Sequence, residues 1–267
     1  MHLEFPATDP TPLKGSHLAV AVCQVRHESH PDVSNVDFGL EVHEALGGRS
    51  GAYARLEPQE LHTGLFEFGP GGFSSSDAGP SRGWRLRTRD GAWTVTLMPD
   101  HFSLETTAYT SWADDFRVRL QDALDALDKV VKPRARQRLG LRYINRLPLP
   151  ESGQMHDWQE QVAPELLGVL NHSLLGPGVR TLQQQIELQV DDEIDCVFRH
   201  GTLKDANQLK TTGYLLDYDV FTQEPERFGV EKMLSMADRL NSAALAMFQT
   251  SLTPAYLATL RRSDNAG

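Results

Sequence analysis

One stretch of the chain, residues 83–146, constrains the fold more than any other because every local signal in it agrees. Near its start, the apolar residues Trp84 and Leu86 flank Arg85, and the same alternation continues on both sides. Such alternation is typical of a β-strand with one buried face and one solvent-facing side. The Asp-Gly pair at 90–91 then favours a tight hairpin turn. The stretch therefore predicts an antiparallel meander instead of an all-helical fold.

A helix and a further strand complete this stretch. Ser111 and Asp114 have the spacing of a helix capping box. Apolar residues then recur every three or four positions as far as 131, which indicates one buried helical stripe, and Pro133 ends the helix. Residues 139–147 alternate again and predict the next strand.

The second half of the chain presents its elements in a similar order. Residues 158–170 are helix-like, with Pro164 kinking that helix or starting a second one, and residues 230–248 carry the apolar stripe of a long helix. Three segments between them alternate as strands: 182–190, 195–203 and 213–222. Corresponding elements of the two halves lie roughly 120 residues apart, which is far longer than a solenoid repeat.

This order predicts an α+β fold built from two duplicated units, residues 17–135 and 136–260, each a strand, a helix, an antiparallel meander and a helix. We expect the units to form one wide, twisted, mainly antiparallel sheet with the long helices packed on one face. Residues 17–267 are thus expected to form a single domain behind a flexible tail, residues 1–16. The glycine- and serine-rich residues 69–83 predict a mobile loop.

Composition narrows the function classes. The chain has 26 basic and 36 acidic residues, a formal net charge of −10. This balance disfavours broad binding to nucleic acid or to an anionic membrane surface. The first 17 residues lack a secretory signal, and the two cysteines, Cys23 and Cys196, lie in apolar strand-like context that predicts buried reduced thiols. We therefore expect a cytoplasmic protein without a membrane span.

Three segments carry a resemblance to a known family. They are Gly83–Trp84, the sequence SLETTAYTSW at 103–112, and LRYINR at 141–146. In these segments the chain resembles a sporadically distributed family of bacterial proteins of roughly this length, for which no activity is established. The resemblance implies a bacterial, cytosolic, single-domain protein. The patchy occurrence of the family implies an accessory or defence-associated role.

Candidate binding residues lie in three predicted strands of the 83–146 stretch. Arginines aligned on a strand can bind a phosphate, a carboxylate or an acidic partner, or they can form a solvent-facing surface neutralised by Glu67 and Glu105. The residues predicted to bind a ligand or partner are Arg85, Arg87, Arg89, Glu105, Arg142, Tyr143, Asn145 and Arg146.

Two groups of residues could ligate a metal by type but lack a suitable pattern. His27, Glu28 and His30 contain metal-ligand groups, but they leave a strand toward a proline, which indicates a solvated strand end. Asp217 and Asp219 share one strand face, where a charged outer surface competes with a metal site or an acid–base pair. No catalytic residue, metal or cofactor is predicted.

The sequence therefore favours a non-enzymatic binding or regulatory protein that recognises a protein partner through a sheet surface. The alternative is an enzyme or small-ligand-binding protein with a pocket between the sheet and the long helices, lined by Arg142, Tyr143, Asn145 and Glu105. Nucleic-acid binding through the arginines ranks lower because of the acidic net charge. A homo-oligomer remains open.

Overall fold

The structure is a computed structural model that describes residues 3–9, 11, 13, 17–69, 72–149, 155–204 and 211–262. It describes the side chains of all these residues except 61–80, 155–157 and 262. Within these residues, ten β-strands pair antiparallel in one sheet and five α-helices accompany it. The predicted α+β class and the large antiparallel sheet are confirmed. The strands are β1 Leu18–His27, β2 Arg55–Gly69, β3 Gly72–Arg87, β4 Trp93–Leu97, β5 His101–Thr106, β6 Ala135–Pro148, β7 Gln183–Gln189, β8 Asp195–Lys204, β9 Thr211–Thr222 and β10 Glu226–Arg227. The helices are α1 Val36–Ala45, α2 Arg117–Val130, α3 Pro164–Leu167, α4 Val230–Ser251 and α5 Pro254–Arg262.

The first strand of the chain lies in the interior of the sheet. The strand order is β2-β3-β4-β5-β1-β6-β9-β8-β7, and β10 pairs with the start of β6. β1 is hydrogen-bonded to β5 on one side and to β6 on the other, with Val22 opposite both Glu105 and Arg142. The first and second halves of the chain therefore meet along the β1–β6 seam.

Alternation along the strands separates a buried side of the sheet from a more accessible one. In β3, Trp84 and Leu86 are buried whereas Arg85 and Arg87 are half-buried, as the sequence predicts. Gly91 adopts a φ of 74° in the turn between β3 and β4, a conformation that favours glycine. We call the side that carries Arg85 and Arg87 the open face.

Helices α2 and α4 supply much of the core. The Ser111 hydroxyl accepts a hydrogen bond of 3.2 Å from the Asp114 amide and caps a π-helical turn at Trp112–Phe116 that leads into α2. The predicted stripes are buried except for Trp112, which is half-buried. The buried members are Phe116, Leu120, Leu124, Leu127 and Val131 in and beside α2, and Met233, Ala237, Leu240, Ala244, Met247 and Phe248 along α4. α4 contacts β6 and β9, and α2 contacts β5.

Two local predictions meet different outcomes. The prediction of a loop at 69–83 is wrong, because Gly72–Arg87 forms β3 and pairs along its length with β2. A backbone ladder can extend through serine and glycine when a partner strand satisfies its N–H and C=O groups. Pro164 starts the short helix α3, one of the two alternatives that the sequence left open.

The cysteines and the N-terminal segment have defined positions. Cys23 and Cys196 are free and buried, as predicted, and burial raises the pKa of each thiol to about 12. In the predicted tail, residues 1, 2, 10, 12 and 14–16 lie outside the described residues. The Leu3 amide donates a 3.0 Å hydrogen bond to the Val190 carbonyl, and Leu13 packs against the core. No helix in the described part of the chain is long and apolar enough to cross a membrane.

Candidate functional site

A single row of side chains crosses the open face and contains three of the predicted binding residues. Strand register places Arg87 opposite Thr94, Thr94 opposite Glu105, Glu105 opposite Val22, and Val22 opposite Arg142. Adjacent strands are about 4.8 Å apart, so Arg87 and Glu105 lie roughly 10 Å apart, as do Glu105 and Arg142. The sheet thus brings together residues from both halves of the chain.

Several arginines on this face have no partner in the described part of the chain. Among the described residues, none forms an ion pair or a side-chain hydrogen bond with Arg85, Arg87 or Arg146. The same holds for Arg26, which follows Gln24 on the open side of β1, and for Arg55, which lies opposite Arg87. Five guanidinium groups are therefore available to a ligand on a chain of net charge −10.

Two other arginines of the open face are already paired. Arg142 donates to both carboxylate oxygens of Asp217, at 2.8 and 2.7 Å, and Asp217 is 2 % exposed. Arg138 donates to Asp219 at 2.8 Å. Each of these two acids is therefore paired with an arginine of β6. The bidentate hydrogen bond from Arg142 to the buried Asp217 raises the pKa of Arg142.

A depression on the open face is lined by residues of β1, β6 and β9. Its volume is about 470 Å³, and Gln24, Arg26, Arg138 and Asp219 line it. The guanidinium of Arg138 lies 4.5 Å from the ring centroid of Phe221 and crosses over Gly140, where a Cβ would come within 2.3 Å of it. Because residue 140 has no side chain, the planar guanidinium of Arg138 has room to lie over it and form the base of the depression.

The other predicted residues of β6 face the opposite side of the sheet. Tyr143 and Asn145 are 7 % and 4 % exposed, and they line a cavity of about 310 Å³ beside α4. The Tyr143 hydroxyl donates to Asn241 of α4 at 2.8 Å. Because successive residues of a strand point to opposite faces, the single pocket expected from Arg142, Tyr143, Asn145 and Glu105 divides into two separate places. Strand alternation is the sequence signal that distinguishes them.

The remaining candidates occupy peripheral or structural positions. Arg89 lies in the turn after β3 instead of in the strand, and its guanidinium donates to the Arg49 carbonyl at 3.4 Å. The side chain of Glu67 lies outside the described residues. Glu28 accepts hydrogen bonds from the amides of Arg134 and Ala135, at 2.6 and 3.3 Å, and so anchors the start of β6.

The histidines beside Glu28 do not form a metal centre. His27 is 1 % exposed, its Nδ1 bonds to the Glu28 carbonyl at 2.7 Å, and burial lowers its pKa. This histidine is therefore a buried residue, whereas the sequence predicted a solvated strand end. In the described ranges, no group of three or more histidine, cysteine, aspartate and glutamate residues could hold a metal ion.

Sequence reasoning missed several residues of the open face and of the cavity beside α4. On the open face these are Arg26, Arg55 and Arg138, whose strand positions follow from the same alternation once β1 and β2 are paired. Around the cavity they are Trp112 and Asn241, which come from distant helices and give no joint signal in the sequence. No protein family model matches the chain, and no curated protein matches it. What the protein does must be inferred from its own residues.

Proposed function

We propose that this protein is a non-enzymatic binding protein that recognises an acidic surface of a protein partner through the open face of its sheet. The observation that supports this most is the set of unpaired arginines, Arg26, Arg55, Arg85, Arg87 and Arg146, on one face of an acidic chain. Arginine presents a planar fork of donors that matches carboxylates in two-point contacts.

The net charge favours a protein over a nucleic acid. A chain of net charge −10 repels a polyanion at long range. Acidic residues such as Glu105 also interrupt the arginine row, whereas nucleic-acid binding draws most of its affinity from phosphate neutralisation. A protein surface can place a few carboxylates opposite the arginines and a neutral or basic group opposite Glu105.

The proposed surface fits an internally duplicated fold. β5, the last strand of the first meander, returns to pair with β1, and β9 in the second half returns to pair with β6. We infer that the halves are duplicated units joined at the β1–β6 seam, with their long helices on one face. That arrangement leaves the opposite face wide and accessible across both units.

The chemistry of the described residues supports binding more than catalysis. Burial holds the thiols of Cys23 and Cys196 in the neutral form, because it raises the pKa of each to about 12. The open face instead supplies cations and amides, which suit recognition. Free buried thiols also suit the cytoplasm.

The test compares two double charge reversals in affinity capture from bacterial lysate. Arg85→Glu with Arg87→Glu changes the open face, and Lys129→Glu with Arg180→Glu changes exposed cations elsewhere. We expect the unmodified chain and the control to capture one protein partner in stoichiometric amount. The open-face variant should capture at least about tenfold less of that partner. Equal capture by both variants contradicts the proposal. Salt-dependent binding of a DNA duplex that only the open-face variant loses would assign the surface to nucleic acid.

A further inference from the structure

The cavity beside α4 combines aromatic walls with the carboxamide groups of two asparagines. Its volume of about 310 Å³ lies at the small end of the range for ligand sites. Tyr109, Trp112 and Phe248 contribute aromatic rings to its lining. Asn145 and Asn241 contribute carboxamides from β6 and α4.

The two carboxamides keep free hydrogen-bonding capacity. Asn145 is 4 % exposed, and its Nδ2 makes one long hydrogen bond of 3.4 Å, to the Leu216 carbonyl. Among the described residues its Oδ1 accepts no hydrogen bond. Asn241 accepts from the Tyr143 hydroxyl through Oδ1, and its Nδ2 group donates to no other described residue. Asn145 is buried and Asn241 is half-buried, and both line the cavity, so the unused acceptor and donor can bond to a water or a ligand inside it.

The lining offers little to a charged molecule. Asp114 is the one residue with a charged side chain among the described lining residues; it is exposed, and its carboxylate accepts from the Ser111 hydroxyl at 3.1 Å. Burial raises the pKa of Tyr109 and of Tyr143, so both phenols stay neutral near neutral pH. An anionic ligand would lose its hydration here without gaining an ion pair, and a cationic ligand would meet, among the described lining residues, only the solvent-exposed carboxylate of Asp114.

The walls are fixed from several directions. The indole N–H of Trp112 donates to Asp238 at 2.8 Å, and its ring stacks on Phe116 with centroids 5.6 Å apart. The N-terminal segment contributes Thr11 and Leu13 to the lining. Asp9 holds that segment to α4 through two hydrogen bonds with Gln249, of 3.2 and 2.7 Å. A preorganised cavity of this kind loses little entropy when a ligand enters.

We infer that this cavity binds a neutral, planar aromatic small molecule that carries a hydrogen-bond donor and acceptor side by side on one edge. The ring lies among the aromatic side chains, and its polar edge pairs with the carboxamides of Asn145 and Asn241. Because Tyr143 and Asn145 alternate with Arg142 and Arg146 along β6, this site lies on the opposite side of the sheet from the open face. It is independent of the proposed partner surface.

The test uses three probes of similar shape with the full-length chain. Benzamide has both the ring and the carboxamide edge, benzoate replaces that edge by a charge, and cyclohexanecarboxamide lacks the aromatic ring. Binding is measured by nuclear magnetic resonance: each probe is titrated into the protein, and the backbone amide, Asn side-chain amide and Trp indole signals are followed. We expect saturable benzamide binding that shifts the Trp112 indole and Asn145 side-chain signals, and at least about tenfold weaker binding of the other two probes.

Three variants place the probe in the cavity. Leu245→Trp fills the space from α4 and should abolish benzamide binding. Asn145→Leu removes the polar edge and should weaken binding about tenfold. Asn171→Leu changes an exposed asparagine outside the cavity and should leave the affinity unchanged. Thermal unfolding verifies that each variant is folded. If Asn145→Leu does not fold, Leu245→Trp alone tests whether benzamide binds in the cavity.

Any of three results overturns the inference. The first is the absence of saturable benzamide binding up to its solubility limit. The second is benzoate or cyclohexanecarboxamide binding as tightly as benzamide. The third is benzamide binding that a folded Leu245→Trp variant retains.

Discussion

Arg142 covers a buried carboxylate, because both of its donating nitrogens bond to Asp217, at 2.8 and 2.7 Å, from a neighbouring strand. The side chain of Asp217 is 3 % exposed and that of Arg142 is 42 % exposed. Arg199, at 3.8 Å, is the other cation near this carboxylate in the described residues. The pair therefore joins β6 to β9 and places a buried negative charge directly beneath the open face.

Replacing Arg142 alone should lower the free energy of unfolding more than replacing Arg142 and Asp217 together. Arg142→Met leaves Asp217 buried with a weak partner, and we expect the free energy of unfolding to fall by about 2 kcal/mol, below the value for a fully buried pair because Arg142 is partly solvated. Arg142→Met combined with Asp217→Asn should be more stable than Arg142→Met alone. Arg146→Met, at an unpaired exposed arginine, is the control and should change stability by less than about 0.5 kcal/mol. Urea denaturation measures all three, and a double variant less stable than Arg142→Met contradicts the expectation.

A helical glycine allows α1 to approach the indole of Trp84. A Cβ at Gly39 would come within 2.4 Å of the Trp84 ring, and the indole N–H donates to the Val33 carbonyl at 2.7 Å. Gly39→Ala should therefore destabilise the protein by about 1–3 kcal/mol through overpacking. At an exposed helix position the same change would stabilise the helix by about 1 kcal/mol. Glu41→Ala, at an exposed position of the same helix, controls for helix propensity. Stabilisation by Gly39→Ala in urea denaturation would show that α1 does not pack this closely.

His200 should make stability depend on pH. The ring is 2 % exposed, its Nδ1 lies 2.8 Å from the Tyr214 hydroxyl, and burial lowers its pKa from an ordinary value of 6.5. Below about pH 6.5 the unfolded chain therefore binds a proton that the folded chain does not, so the free energy of unfolding falls as pH falls.

The measurement is urea denaturation from about pH 7 to about pH 5. His200→Phe should reduce the slope by up to about 1.4 kcal/mol per pH unit. Tyr214→Phe retains the titrating ring and should lower stability while keeping the slope. Aspartates and glutamates with lowered pKa, such as Glu28, lose their contribution at lower pH and so fall largely outside this range. An unchanged slope in His200→Phe would mean that His200 binds its proton equally well in the folded and unfolded chains.

Local patterns predicted much of the secondary structure because local physics determines it. The alternation around Trp84, the Asp90–Gly91 turn and the Ser111 cap all depend on residues within a few positions of one another. The part of β3 at 72–83 was missed because its serines and glycines have low strand propensity. Its partner β2 supplies the hydrogen bonds that decide its conformation.

The candidate surfaces depend on long-range pairing, which a single sequence does not reveal. Alternation assigns Arg142 and Tyr143 to opposite faces of β6, but nothing local indicates that β1 brings Glu105 to within two strands of Arg142. The burial of Asp217 likewise requires Arg142 from a different strand. Asn241 reaches Tyr143 across 98 positions of the chain, so the cavity was not predictable as a unit.

Asp238 links the two longest helices and positions a wall of the cavity. It accepts from the Trp112 indole at 2.8 Å and from Arg117 through Nε at 2.9 Å and Nη2 at 3.1 Å. Both charged side chains are partly solvated, at 42 % and 35 % exposure, so Asp238→Ala should cost only about 1 kcal/mol. The larger effect should be local, because the Trp112 indole loses its acceptor and its resonance should shift and broaden.

Benzamide binding separates these two effects. Asp238 does not line the cavity, so weaker benzamide binding in Asp238→Ala has to arise through the position of Trp112. Asp125→Ala, at an exposed aspartate of α2, removes a similar charge and should change neither the indole resonance nor the affinity. If Asp238→Ala leaves the Trp112 resonance in place, then stacking on Phe116, with rings inclined by 18°, is sufficient to orient the indole. The hydrogen bond to Asp238 would then contribute to stability alone.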